Sequence, residues 1–150
     1  VVARPVGQLS MRNCASPAYL ARHGVPRTLQ DLAEHHLVHY VRTLGGRSAG
    51  FEYLQGGELH FQAMAGVVTV NNAEAYSAAC LAGLGLIQVP AVGVAEHLQR
   101  GELVSVLEGW QAPAMPVSLL YARQRHVPRR VQAFMQWLGE VLHSQVDGDR

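Results

Sequence analysis

The sequence contains no lysine, and all 12 of its basic residues other than histidine are arginine. Eleven acidic residues leave a formal net charge of +1, so the chain as a whole lacks the basic excess typical of nucleic-acid-binding domains. Charged residues make up only 15% of the chain and hydrophobic residues 49%, which is a globular composition. A length of 150 residues suits one domain with a real core. No apolar run approaches the roughly 20 residues that cross a bilayer.

Cysteine is scarce as well. Cys14 and Cys80 are far apart and form no CxxC motif, which excludes a disulfide framework of the kind found in small secreted domains. We expect two reduced, packed thiols in a cytoplasmic protein. The first residues, Val1 to Pro5, lack the layout of a signal peptide, and we therefore expect no contact with a membrane.

The sequence offers no convincing catalytic or metal-binding constellation. His35, His36 and His39 cluster, but the helix that contains His35 is predicted to end there, so the three side chains would not share one face. Nothing fixes a base beside Cys14, and no paired carboxylates stand out. Gly83-Leu84-Gly85 follows a predicted helix and precedes a predicted strand, which is the wrong order for a phosphate-binding loop. We therefore predict no catalytic residue, no metal, no cofactor and no enzymatic activity.

Strands alternate with helices along the chain, which predicts a layered α/β domain. A turn is expected at Cys14-Ala15, between the first strand and the first helix. The predicted strands cover residues 8–13, 37–41, 51–54, 58–62, 66–70, 86–89, 103–107 and 117–121, and the predicted helices cover residues 17–23, 28–35, 73–82, 91–100 and 128–144.

Two strand-to-helix junctions carry polar groups. Ser16 and Asn72 are good N-caps, and each follows a predicted strand. In open α/β sheets, ligands bind beyond the carboxyl ends of strands, close to helix N-termini. We therefore predict that these junctions bind a small, anionic molecule through hydrogen bonds, although each could instead be a structural cap. The predicted ligand-binding residues are Asn13, Cys14 and Ser16 at the first junction and Asn71, Asn72 and Ala73 at the second.

The C-terminal part of the chain combines a basic cluster with an amphipathic helix. The cluster flanks the start of the helix, where the macrodipole disfavours cations. It could bind an anion or an acidic partner, but we favour a solvated face. The apolar stripe of the helix repeats at helical spacing. The cluster consists of Arg123, Arg125, His126, Arg129 and Arg130, and the stripe of Val127, Val131, Phe134, Leu138, Val141 and Leu142.

Several blocks of the sequence, in order and with matching spacing, resemble the C-terminal part of LysR-type bacterial transcriptional regulators. They cover nearly the whole chain, which makes the resemblance far more specific than any single motif. The blocks are residues 14–24, 26–35, 70–75, 79–87, 89–90 and 121–131, with Phe134 after them. Residues 37–50 match the family pattern only weakly.

The resemblance implies an effector-binding domain with the type 2 periplasmic-binding-protein fold, in which a small molecule binds between two α/β subdomains joined by two crossing strands. Residues 1–15 would be the end of subdomain one and the first crossing. Residues 16–110 would form subdomain two. Residues 111–150 would form the second crossing and return a strand and the C-terminal helix to subdomain one.

The resemblance also implies what should precede such a chain. Family members begin with a winged helix-turn-helix, a linker helix and the first half of subdomain one, so we expect this sequence to be a fragment. It would contact DNA only through that absent N-terminal domain, as a homo-oligomer, and its apolar stripe would pack against another chain. The alternative is a solute-binding protein of a transporter, which shares the fold. An enzyme that uses Cys14 is a third reading.

Overall fold

The computed structural model describes residues 1–123 and 125–146 and divides into two compact units. The first unit contains Val1–Ser10 and the described part of Ala114–Arg150. The second unit contains Met11–Pro113. Both units mix strands with helices, as the alternating pattern predicted.

The first unit is a two-stranded ribbon with a long helix packed on it. Strand β1 (Val2–Leu9) pairs antiparallel with the ninth strand of the chain, Met115–Tyr121, and the final helix, Arg129–Val146, packs against β1. A Cβ atom at Gly7 would lie 2.7 Å from Cγ1 of Val146, so the missing side chain lets the helix end approach the strand. This geometry fixes the final turn of the helix against the ribbon.

The predicted apolar stripe of the final helix is partly buried and partly exposed. Four of its members are half-buried, whereas Phe134 is 57% exposed and Val141 is 37% exposed. Trp137, one turn along, is 55% exposed and its ring contacts that of Phe134. Packing of this stripe against another chain remains a prediction. All five members of the basic cluster are exposed, as a solvated face requires.

The second unit is built around a three-stranded antiparallel sheet. Its central strand is β2 (Met11–Ala15), which is flanked by β7 (Ile87–Pro90) and β8 (Val104–Ser105). Helices α1 (Pro17–His23), α2 (Ala73–Leu81) and α3 (Ala91–Gln99) and a 3₁₀ helix (Leu29–Glu34) belong to the same unit. The final helix of the chain is therefore α4, and its last strand is β9.

Four further strands complete the second unit. Strands β3 (His39–Tyr40) and β6 (Thr69–Val70) pair in parallel. Strands β4 (Phe51–Gln55) and β5 (Glu58–Gln62) form the predicted hairpin. Its tight turn requires φ values of 61° at Gly56 and 77° at Gly57, which glycine adopts without strain.

Two apolar clusters lie inside the second unit. One surrounds β7 and α2 and includes Cys14, Tyr76, Cys80 and Ile87. The other surrounds α1 and includes Tyr19, Leu32, Phe51 and Leu86. Each cluster therefore joins segments that are distant in sequence, and β2 contributes residues to both clusters.

Several predicted elements were wrong in their bounds. The strand predicted at residues 8–13 is two strands separated at Ser10, because β1 pairs with β9 while β2 pairs with β7 and β8. The turn predicted at Cys14-Ala15 does not exist, since both residues are paired in β2 and the chain turns directly into the Ser16 cap. The strands predicted at 37–41, 66–70 and 103–107 shrink to two residues each, because only those pairs form a continuous ladder, while Leu37 forms an isolated bridge with Leu86.

Candidate functional site

The first predicted junction lies at the end of β2, and its Asn13 side chain is fully engaged. The amide nitrogen of Asn13 donates to the carbonyl oxygens of Leu107 at 3.1 Å and Trp110 at 2.8 Å. The amide oxygen accepts a hydrogen bond from Nε2 of Gln88 at 2.9 Å. Asn13 is completely buried, and these bonds fix the segment that follows β8. Its visible role is therefore to hold neighbouring backbone in place.

Cys14 is also completely buried, and its chemistry follows from that burial. Removal from water raises the pKa of its thiol to about 11, although the Arg12 guanidinium acts in the opposite direction. The thiol of Cys80 donates to the backbone oxygen of Cys14 at 3.6 Å, and burial raises the pKa of Cys80 to about 12. Both thiols are therefore protonated at neutral pH, which is the opposite of what a nucleophile needs.

Ser16 is the N-cap of α1, as predicted. Its hydroxyl oxygen accepts from the backbone nitrogen of Tyr19 at 3.2 Å, and Ser16 is only 3% exposed. Gly83, which follows α2, packs over the N-terminus of α1. A Cβ atom at Gly83 would lie 2.9 Å from a guanidinium nitrogen of Arg22 and 3.5 Å from the Ser16 hydroxyl oxygen. The Arg22 side chain in turn donates to the Gly83 carbonyl oxygen at 2.9 Å. The N-terminus of α1 is thus covered by protein.

The second predicted junction has the same local chemistry in an open setting. The side-chain oxygen of Asn72 accepts from the backbone nitrogen of Ala75 at 2.9 Å, which makes Asn72 the predicted N-cap of α2. Its side-chain nitrogen donates to the Asn71 side chain at 3.4 Å. Asn71, Asn72 and Ala73 are all exposed, and Glu74 adds a negative charge to the first turn. A ligand can therefore reach this helix end directly.

The structure links the two junctions through α2 but does not merge them. Cys80 of α2 contacts Cys14, and Gly83 beyond the helix end meets Ser16. Asn72 begins the same helix, so Ser16 and Asn72 lie at opposite ends of α2, which for nine residues measures about 13 Å. The six predicted residues therefore form a buried group and an exposed group.

Gln88 is the polar centre that sequence reasoning missed. Its side chain donates to Asn13 and to the backbone oxygen of Glu52 at 2.7 Å, and it accepts from the Glu52 backbone nitrogen at 2.9 Å. Its backbone nitrogen donates to the hydroxyl of Tyr76 at 2.9 Å. This side chain therefore joins β2, β4 and β7. The one available signal was a lone amide inside the apolar run of residues 86–89.

A second missed cluster surrounds the buried Tyr19. Its hydroxyl lies 2.8 Å from Nδ1 of His35 and accepts from the backbone nitrogen of His36 at 2.8 Å, while the His23 ring stacks on the phenol. The sequence alone groups His35 and His36 with His39 instead. Among residues 1–123 and 125–146, no group of three histidine, cysteine or acidic side chains could hold a metal ion.

Comparison with known proteins decides the family. The family model described as LysR substrate binding domain matches residues 1–143. The chain belongs to the LysR substrate-binding domain family. Its type 2 periplasmic-binding-protein-like fold agrees with that of LysR-type regulatory domains, so the predicted fold and family are confirmed.

Two curated proteins are similar in sequence to this LysR-family domain. The helix-turn-helix-type regulator YhjC of Escherichia coli K12, itself uncharacterised, is 44% identical over 98% of the chain and 49% of its own length. The regulator PtxR of Pseudomonas aeruginosa is 35% identical over 85% of the chain and 40% of its own length. The chain thus spans about half the length of these relatives. Both are transcriptional regulators, which sets aside the transporter alternative.

Solved structures give the same result. The full-length Vibrio cholerae virulence activator AphB is similar with a TM-score of 0.78 and 26% identity, over 94% of this chain and 48% of AphB. The regulatory domain of CrgA from Neisseria meningitidis has a TM-score of 0.78 at 24% identity, over 94% of this chain and 68% of that domain, and supports the fold alone. None of the described helices of this LysR-family domain is both long and apolar enough to cross a membrane.

Proposed function

We propose that this LysR-family domain senses a small organic anion and that the longer protein containing it, a homo-oligomer in the cytoplasm, changes its hold on DNA in response. The observation that carries the proposal is the family match over residues 1–143. The relatives that support it are named as transcriptional regulators. DNA contact would come from an N-terminal domain outside this chain, and the response would be a shift between two conformational populations.

We further propose that three of the six predicted residues contact the effector directly and that the other three shape the site. Asn71, Asn72 and Ala73 are exposed at the N-terminus of α2, where backbone N–H groups and the helix dipole favour an anion, so they would contact it. Asn13, Cys14 and Ser16 are buried and hydrogen-bonded within the protein, so they would set the shape of the site without exposing a polar group.

A binding role without turnover is the reading that the chemistry supports best. The pKa of about 11 keeps Cys14 protonated, and its burial closes it to substrate. The polar side chains around it, Asn13, Ser16 and Gln88, are amides and a hydroxyl that hold backbone groups. We therefore propose that the domain is not an enzyme and uses no cofactor.

The test is calorimetric titration of the chain with a panel of small mono-, di- and tricarboxylic acids, followed by charge substitution at the exposed junction. Asn72→Asp keeps an oxygen that can cap α2 but adds a negative charge, so an anionic ligand should bind at least tenfold more weakly, equivalent to about 1.4 kcal/mol. Asn72→Ser keeps the cap without the charge and should bind more nearly like wild type.

Gln99→Glu is the matched control, because it adds the same charge at an exposed position at the other end of a different helix. It should leave the affinity within about twofold of wild type, since solvent screens an exposed surface charge. An Asn72→Asp variant that binds a confirmed ligand as tightly as Gln99→Glu does would remove the N-terminus of α2 from the site. Absence of binding by any carboxylic acid would remove the anion from the proposal.

A further inference from the structure

The hydroxyl of Tyr19 ties α1 to the segment that follows the 3₁₀ helix. It accepts from the backbone nitrogen of His36 at 2.8 Å, and it lies 2.8 Å from Nδ1 of His35. A phenol has a single proton to donate. Because the N–H group of His36 points at the oxygen, that proton is directed to His35, whose Nδ1 must then accept. This assignment makes His35 a neutral imidazole with its proton on Nε2.

Protonation of His35 would reverse this hydrogen bond. A proton on Nδ1 converts the acceptor into a donor, so two N–H groups would point at the Tyr19 oxygen. The hydroxyl proton would then need another acceptor, and no described residue supplies one to it. Tyr19 is fully buried and His35 is 4% exposed, so water cannot easily replace the lost partner. Burial accordingly lowers the pKa of His35.

A second imidazole opposes positive charge at the same place. The ring of His23 stacks on Tyr19 with centroids 4.5 Å apart, and it lies 6.5 Å from the ring of His35 and 5.3 Å from that of His36. His23 also lowers the pKa of His35, second in effect to burial. A positive charge on His35 is therefore opposed by its imidazole neighbour as well as by burial.

The remaining ionisable groups near His35 do not cancel this effect. Asp31 and Glu34 of the 3₁₀ helix favour the charged imidazole, but each acts less strongly than burial does. Asp31 already accepts from the backbone nitrogens of Arg27 and Thr28. Arg22 of α1 donates to a carbonyl beyond α2, and Tyr53 of β4 packs on the same apolar cluster as a phenol.

We propose that the Tyr19–His35 hydrogen bond is a proton-sensitive latch, which holds α1 against residues 35–37 when His35 is neutral and releases it when His35 is protonated. The folded protein binds the His35 proton more weakly than the unfolded chain, whose ordinary value is 6.5. The stabilisation is therefore complete above pH 6.5 and is lost as the pH falls from there toward the folded-state pKa. The latch does not depend on the identity of any effector.

The test combines an NMR titration of the histidine rings with amide hydrogen exchange of the chain from pH 7.5 to 5.0. His35 should be the Nε2–H tautomer at pH 7.5 and should titrate below 6.5. Protection of the Leu20, Gly24 and His36 amides, corrected for intrinsic exchange rates, should fall by up to about tenfold per pH unit, the limit for one linked proton. Protection within α3 should stay constant, which separates local release from global unfolding.

His35→Asn is the informative variant, because its Oδ1 can accept the Tyr19 proton and does not titrate. It should keep α1 protected down to pH 5.0, whereas His97→Asn on α3 should behave as wild type. The proposal is overturned if His35 titrates at or above 6.5, if α1 and α3 lose protection together, or if His35→Asn loses protection as wild type does. Should His35→Asn fail to fold, the wild-type tautomer decides: a neutral Nδ1–H form contradicts the latch.

Discussion

The two capped helix N-termini of the second unit share a local sequence signal and differ in almost everything else. At each, a short polar residue accepts a hydrogen bond from a backbone nitrogen three residues ahead. Ser16 is buried behind Gly83 and follows three completely buried residues of β2. Asn72 stands between exposed neighbours. One junction is part of the core, and the other is part of the surface.

The difference shows that a cap motif specifies a helix start but not its accessibility. At the buried junction the Asn13 amide and the Ser16 hydroxyl oxygen already bond to protein, so little polar capacity is left for a ligand. At the exposed junction the caps leave backbone groups facing solvent. Substitutions at the buried junction should therefore change stability, and substitutions at the exposed one should change binding.

Asn13→Ala should produce the largest loss of stability. It removes three hydrogen bonds at once. The Leu107 carbonyl oxygen still accepts from the Trp110 nitrogen and the Gln88 amide still donates to Glu52, whereas the Trp110 carbonyl oxygen loses the Asn13 donor. Each lost hydrogen bond costs about 0.5–1.5 kcal/mol and an unsatisfied buried group about 1–3 kcal/mol, so we expect a total of about 3–5 kcal/mol. Urea unfolding followed by far-ultraviolet circular dichroism measures the change.

Asn71→Ala provides the surface counterpart to that substitution. Asn71 is exposed and accepts one long hydrogen bond from its neighbour, so its removal should change the free energy of unfolding by less than about 0.5 kcal/mol. A comparable loss in the two variants would show that the buried junction is not tied into the core as the hydrogen bonds indicate.

Gly83→Ala tests whether Gly83 packs closely over the buried junction at Ser16, and it should cause the next largest loss of stability. Gly83 has a φ of 80°, a left-handed conformation that costs a side chain about 1–2 kcal/mol. The new methyl group would also press on the Arg22 guanidinium. Gly101→Ala carries the same backbone strain at φ 71° with open space around its Cβ atom. The difference in the free energy of unfolding between Gly83→Ala and Gly101→Ala measures the crowding at Gly83. Equal losses would contradict close packing of Gly83 over the Ser16 junction.

Much of the fold could be predicted from the sequence, because its signals are local. The Ser16 and Asn72 caps mark true helix starts, and Gly56-Gly57 marks a true hairpin turn. The division at Ser10 could not be predicted, since residues 8–13 alternate as one strand would. Only the pairing of β1 with β9, more than 100 residues away, separates it from β2.

The candidate site was predictable in its residue types but not in its environment. The polar residues at both junctions were visible in the sequence, whereas burial depends on what packs over them. Gln88 and the Tyr19–His35 pair form their hydrogen bonds with residues 12 to 75 positions away. Such contacts leave no periodic pattern in the chain. The sequence therefore places His35 and His36 beside His39 and does not reveal that His23 is their neighbour in the fold.

Removal of the two caps should cost less than Asn13→Ala or Gly83→Ala, and it gives the most direct comparison of the two junctions. Ser16→Ala and Asn72→Ala each leave one N-terminal backbone nitrogen without its partner, a loss of about 0.5–2 kcal/mol. Water can reach the exposed end of α2 but not the covered end of α1, so we expect about 1–2 kcal/mol for Ser16→Ala and about 0.5–1 kcal/mol for Asn72→Ala. Asn72→Ser should restore most of the smaller loss, because a hydroxyl oxygen can accept the same bond. If urea unfolding shows a larger loss of stability for Asn72→Ala than for Ser16→Ala, solvent does not compensate for the lost cap. The proposed difference between the buried and the exposed junction would then be wrong.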